Sequence, residues 1–255
     1  METLTVSPYI IAVIFLAVAF IYSSVGLGGG SSYTALLAIF GFNALAIPMI
    51  SLLLNLLVTT VGSFNFIRNR HARLRLILPF LITSIPMAYL GGSLELSRKF
   101  FYWLLLVSLV LVVIRIYGWS NTAFNLNLSK KNAIILSLGA GTILGLLSGI
   151  VGIGGGIYLV PIIIMLGLGT EKEAAACGAI FIWLNSLSGI ISRYQYNAID
   201  LKQYIPIIAA VLVGGAVGSA MGSTRLSPRV MEKILGLVIL VAIIFLVRKV
   251  LTLYG

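Results

Sequence analysis

Two glycine clusters and two asparagines are the residues whose types and spacing could do chemistry. "VGLGGGSSYT" covers 25–34 and "SGIVGIGGGIYLVP" covers 148–161, each a glycine triplet set in an apolar stretch. Glycine reaches backbone angles closed to other residues, and consecutive free N–H groups beside a helix start form a concave donor site for anions. Gly28, Gly29 and Gly30, with Gly154, Gly155 and Gly156, are therefore candidate substrate-binding residues. Glycine also permits close helix packing, which accounts for Gly214, Gly215, Gly218 and Gly222. It accounts poorly for a triplet, because packing needs small residues one turn apart and each added glycine weakens a helix by roughly 1 kcal/mol.

Downstream of each cluster stands an amide flanked by apolar neighbours: Asn55 in "LLLNLLV" and Asn185 in "IWLNSLS". Such an amide either lines the site or ties helices together. Ser24, Ser31, Asn65, Ser148 and Gln195, and beside them Ser23, Ser32 and Ser188, could add neutral hydrogen-bonding groups along a substrate pathway. Arg193 is the one cation close to the apolar core of the second half, and it reads either as a side chain snorkelling to the interface or as part of that pathway. All six acidic residues, Glu2, Glu95, Glu171, Glu173, Asp200 and Glu232, fall at predicted ends or loops. No buried carboxylate is left to relay protons or hold a cation. With no His/Glu pair, no paired carboxylates and no cysteine cluster, the sequence offers neither a metal site nor a cofactor site and argues against an enzyme. Cys177 reads as a small core residue and His71 as a solvated loop residue.

The elements that must carry these residues are membrane helices. Of 255 residues 60% are apolar and 9% charged, against about 25% charged in a soluble domain. Runs 42–67, 76–94, 100–116, 133–151, 174–192, 204–221 and 234–247 approach or exceed the roughly 20 residues that cross a bilayer. The first twenty residues lack the basic start of a secretory signal and are expected to stay as a further membrane segment. The net charge of +11 comes from basic residues in short connections, where they set topology beside anionic headgroups and are not expected to bind nucleic acid.

The second half repeats the first. "GLGGG" and "GIGGG" align at an offset of 126, Asn55 with Asn185 and "FNF" 64–66 with "YQY" 194–196 at 130, followed by Pro79 with Pro206, Gly91 with Gly218 and "LSRKFFYWLLL" with "LSPRVMEKILG". The expected fold is an all-α polytopic membrane protein of two pseudo-symmetric repeats, 1–118 and 132–255, joined by a linker at 119–131 in one transmembrane domain. Each repeat would hold a glycine-broken helix hairpin and three transmembrane helices. The short segments after the breaks, 31–40 and 157–168, are about 15 to 18 Å long if helical, too short to cross alone. If they return to the side they came from, the second repeat is inverted; if they complete the preceding span, the repeats are parallel. Lysine and arginine divide eleven to six across the membrane in both cases, and "RNRHARLR" 68–75 is cytoplasmic in both. Inversion is favoured because that charge-rich loop matches a charge-poor one in the second copy.

"SGIVGIGGGIYLVP", its partner "SSVGLGGGSSY" and the downstream asparagines resemble the TauE/SafE family of sulfite and organosulfonate exporters, over nearly the whole chain. The first copy departs from the motif in carrying Ala35 where the second has Pro161. The resemblance implies a multi-pass permease of the cell (inner or plasma) membrane for small sulfur-containing anions, with backbone amides of the glycine triplets and the amides of Asn55 and Asn185 meeting the oxyanion. Its expected partners are a small anionic substrate and the lipid bilayer, a homo-oligomer being compatible. Export is favoured over uptake. The alternatives are an uptake carrier or a channel for another small anion, and a non-transporting assembly protein.

Overall fold

In the computed structural model the described residues are 7–94, 96–118, 129–195, 201–222 and 228–254. They form helices joined by short turns: α1 Pro8–Ser24, α2 Gly30–Ile39, α3 Ala46–Arg68, α4 Leu74–Ser93, α5 Arg98–Gly118, α6 Lys130–Val151, α7 Gly156–Met165, α8 Glu171–Tyr194, α9 Ile205–Gly222 and α10 Pro228–Tyr254. Most of the 119–131 linker and the "YQY" tyrosine at 196 lie outside the described residues. Among the described residues seven helices are long and apolar enough to cross a membrane. The chain is a multi-pass membrane protein, as its composition requires. α1, at 17 residues, is about 25 Å long. α2 and α7, at 10 residues each, reach about 15 Å and cannot cross.

Local chemistry sets the ends. Pro8 opens α1, where its missing N–H costs nothing. Thr170 and Glu173 close a reciprocal capping box on α8, the Thr170 N–H donating to Glu173 Oε2 at 2.8 Å. α7 stops at Met165, three residues short of the expected end, because Gly167 turns left-handed (φ 63°) and its neighbours fold back on the last carbonyls.

The direction of each helix follows from which residues meet. Gly141, Gly145 and Gly149 of α6 lie against the carbonyls of Phe80, Ser84 and Ala88 of α4, a constant offset, so these two helices run parallel. Gly214 and Gly218 of α9 lie likewise on the Leu16 and Phe20 carbonyls of α1. Gly215 faces Val58 of α3, while Gly222 lies outside the described side chains. α3 and α8 run antiparallel: Leu52 meets Gly189, Thr60 accepts from the Trp183 indole at 2.8 Å, and Phe66 packs on Ala175 and Ala176. α5 and α10 are antiparallel too, Tyr117 donating to the Lys233 carbonyl at one end and Lys249 lying over the Tyr102 ring at the other.

Both short helices double back. Past α2, the Phe42 ring sits 5.5 Å from Tyr204 at the start of α9, which is the end at which parallel α1 begins. Past α7, Gly169 meets Leu76 at the start of α4, the end at which parallel α6 begins. α8 starts beside Arg73, 3.3 Å from Glu173, and the chain reaches α9 only after crossing. The two broken hairpins therefore enter from opposite ends of the molecule.

Candidate functional site

The hairpin tips are unwound and buried in protein, the condition under which open backbone survives at membrane depth. Each tip sets two left-handed glycines three residues apart, and the second adds Gly154 (φ 82°) between them. Gly26 (φ 77°) and Gly152 (φ 82°) end α1 and α6; Gly29 (φ 100°) and Gly155 (φ 76°) begin α2 and α7. No L side chain adopts those angles without strain. The first backbone donors to turn back are Tyr33, bonded to the Gly29 carbonyl, and Tyr158, bonded to that of Gly155. The N–H groups of Gly28, Gly29, Gly30 and of Gly154, Gly155, Gly156 take no backbone acceptor. They are the orphan donors of two helix N-termini, where the partial positive charge of each helix concentrates.

These two N-termini converge on one side chain. A Cβ on Gly28 would lie 2.5 Å from Asn55 Oδ1, and one on Gly154 would lie 2.9 Å from Asn55 Nδ2; Gly30 abuts both that nitrogen and the Ile153 carbonyl. Asn55 is fully buried nine residues into α3, about 13 Å from its start. Its Nδ2 donates a long 3.4 Å bond to the Gly152 carbonyl, and its Oδ1 has no partner. Ile182 of α8 closes the opposite wall, against Gly28, Gly154 and Gly156. Gly29 lies under the Tyr33 ring and Gly155 against Phe181.

Ser51, one turn before Asn55, was not among the residues expected to matter. Its hydroxyl reaches the carbonyls of Gly152 at 2.8 Å and Gly30 at 3.2 Å, tying both breaks to α3. The spacing Ser51, Asn55, Thr59 is a polar stripe at every fourth position, a signal readable in the sequence. Ser31 and Ser32 turn to the Tyr22 hydroxyl at 2.6 and 2.8 Å, and Ser24 bonds back to the Ile21 carbonyl.

The other expected residues differ in their partners. Asn185 is buried, its Nδ2 bonded to the Phe181 carbonyl of its own helix and its Oδ1 unpartnered. Ser148 is buried with a free hydroxyl one residue before Gly149. Asn65, ten residues or about 15 Å past Asn55, donates to Ser219 of α9 at 2.7 Å. Gln195 is exposed and donates to the Tyr89 hydroxyl at 3.0 Å. Arg193 does not snorkel: it is 7% exposed and donates to the carbonyls of Gly149 and Ile150 at the end of α6, which supply the acceptors it would otherwise seek in water. Glu171 and Glu173 sit at the start of α8, outside the convergence, and no cluster of potential metal ligands occurs among the described residues. Cys177 is fully buried.

A multi-pass helical protein whose broken helices enter from opposite ends and aim bare amides at one buried side chain belongs to the class of membrane transporters. The chain matches the family model "Sulfite exporter TauE/SafE" over residues 10–248, and it belongs to that family. It is also similar to "Probable membrane transporter protein y4hK" of Sinorhizobium fredii (strain NBRC 101917 / NGR234), 32% identical over 210 residues that cover 81% of this chain and 84% of the relative. No solved structure matches the chain.

Proposed function

We propose that this transporter moves small sulfur-containing anions, sulfite or an organosulfonate, outward through the convergence of the two glycine breaks. The observation that carries the reading is the meeting of two helix N-termini, rich in unbonded N–H groups, at Asn55. Positive helix ends and amide donors complement an oxyanion; a cation would find the wrong end of both dipoles. Gly28, Gly30, Gly154 and Gly156 with Asn55 form the centre. Gly29 and Gly155 hold the turn geometry, and Asn185 serves the route beside it.

Export follows from energetics. With the cell interior negative, each negative charge that leaves gains about 2.3 kcal/mol per 100 mV, so efflux runs without a coupled ion. The proposal extends to the architecture: the halves are inverted copies of one unit. What supports this is the packing of Gly91 on the Leu146 carbonyl and of Gly218 on that of Phe20, a pairing that maps onto itself when the halves are exchanged, together with the antiparallel run of α3 against its counterpart α8.

The test is flux from membrane vesicles loaded with sulfite, thiosulfate, sulfoacetate or taurine. Asn55→Asp places a negative charge where the anion must sit and is expected to abolish efflux while the amount of inserted protein stays the same. Efflux at the wild-type rate would remove the convergence as the site.

A further inference from the structure

α8 carries a second set of buried polar groups that the central site does not use. Asn185, Ser186, Ser192 and Arg193 fall on one face, since steps of one, seven and eight residues keep within about a third of a turn around Gly189. The first three are fully buried and Arg193 nearly so. Each leaves an atom without a partner: Asn185 Oδ1, Ser186 Oγ, Ser192 Oγ and Arg193 Nε. Four buried groups over about 12 Å of one helix face each leave hydrogen-bonding capacity unused, where buried polar atoms are ordinarily paired.

The guanidinium is the anomaly that gives the row a direction. Buried cations are paired with carboxylates or phosphates as a rule. The described carboxylates Glu171 and Glu173 stand at the other end of α8, about 30 Å away along the helix. Arg193 instead donates through one nitrogen to the Gly149 and Ile150 carbonyls, at 2.7 and 2.8 Å. That contact fits the negative C-terminal end of α6 and fixes the guanidinium plane, yet it uses only part of a five-donor fork. On α3 the position matching Arg193 at the 130-residue offset is Ser63, a neutral residue. The charge therefore stands on one side only, at the end of α8 opposite the Arg68–Arg75 loop.

We propose that the Asn185–Arg193 face of α8 is a second binding station for the transported oxyanion, on the route between the glycine breaks and the extracytoplasmic side. The inference rests on the anion-transport reading. α6 holds Arg193 in place, and its unpartnered Nε–H donates to one oxygen of the anion, with Ser192 and Ser186 donating hydroxyl protons along the approach. Gly189, at the middle of this face, lets Leu52 of α3 and the Gly149 backbone of α6 come close to α8.

The experiment compares half-saturation for radiolabelled sulfite in right-side-out and inside-out membrane vesicles, so that each face is titrated separately. Arg193→Gln is expected to raise it about tenfold from the extracytoplasmic face, the loss of one charge-assisted contact, and to leave the cytoplasmic face within about twofold. Arg193→Lys, which keeps the charge and can still cap α6, should fall between. Ser192→Ala, which removes one hydroxyl without touching the cap, should give about threefold on the same face and carries the test if Arg193→Gln does not insert. Equal changes at both faces, or none, would reduce Arg193 to a helix cap and overturn the proposal. Wild-type vesicles that pass none of sulfite, thiosulfate, sulfoacetate and taurine would instead bring down the anion-transport reading itself, a result distinguishable from the first.

Discussion

At the residue scale, glycine acts here through two separable properties. Gly154 combines φ 82° with a neighbourhood in which a Cβ would lie 2.8 Å from Ile182 and 2.9 Å from Asn55. Gly62, inside α3, has nothing within 4 Å of the same position. Gly154→Ala should therefore cost about 2 kcal/mol or more, from left-handed strain and overpacking together. Gly62→Ala should stabilise by about 0.5 to 1 kcal/mol through helix propensity alone. Thermal unfolding in detergent reads both, and equal shifts would refute the assignment of strain to the break. The triplets announced this chemistry because no packing motif needs three glycines in a row. Ser51 announced itself only as part of the stripe with Asn55 and Thr59; its role as a tie appears when two carbonyls from distant segments arrive beside it.

At the element scale, the strongest associations are glycine-mediated. Gly141, Gly145 and Gly149 recur at every fourth residue and let the α6 backbone touch the carbonyl row of α4. Gly145→Leu should force these helices apart and abolish both folding yield and flux, whereas Gly139→Leu, with open space at that position, should be tolerated. The yield of monodisperse protein after extraction distinguishes them. The capping box on α8 is a smaller device: Thr170→Ala should cost about 1 kcal/mol, again by thermal unfolding. The Arg73–Glu173 pair beside it contributes little, because Arg73 is 56% exposed and the pair is screened.

At the scale of the whole molecule, the opposed senses of α3 and α8 decide which loops share a face. Thr170→Cys and His71→Cys, each in a Cys177→Ser background, are expected to react with an impermeant thiol reagent from the same side, and Gln195→Cys from the other. Labelling of Thr170→Cys from the face opposite His71→Cys would contradict the doubled-back path of α7. An inside-negative potential of 100 mV should drive efflux of a divalent anion with about 4.6 kcal/mol, twice the single-charge gain, and a protonophore should leave that efflux intact. Collapse of efflux by the protonophore would point to proton coupling and against a purely electrical drive.

Composition and period alone determined that this chain spans a membrane, where its long helices lie, and that two of its helices break at glycine. Burying apolar side chains and pairing the backbone in hydrocarbon leaves a chain of this composition no other form. Charge could not decide the topology, since Lys and Arg divide eleven to six either way. Only tertiary packing sets the direction of α8 against α3, through the antiparallel register of Leu52, Thr60 and Phe66 on α8. The same holds for Asn55 and Asn185: identical in local sequence signal, they differ because one lies between two helix N-termini while the other bonds to its own helix. A residue's partners across 100 positions of chain are set by how helices cross, and no local pattern records that.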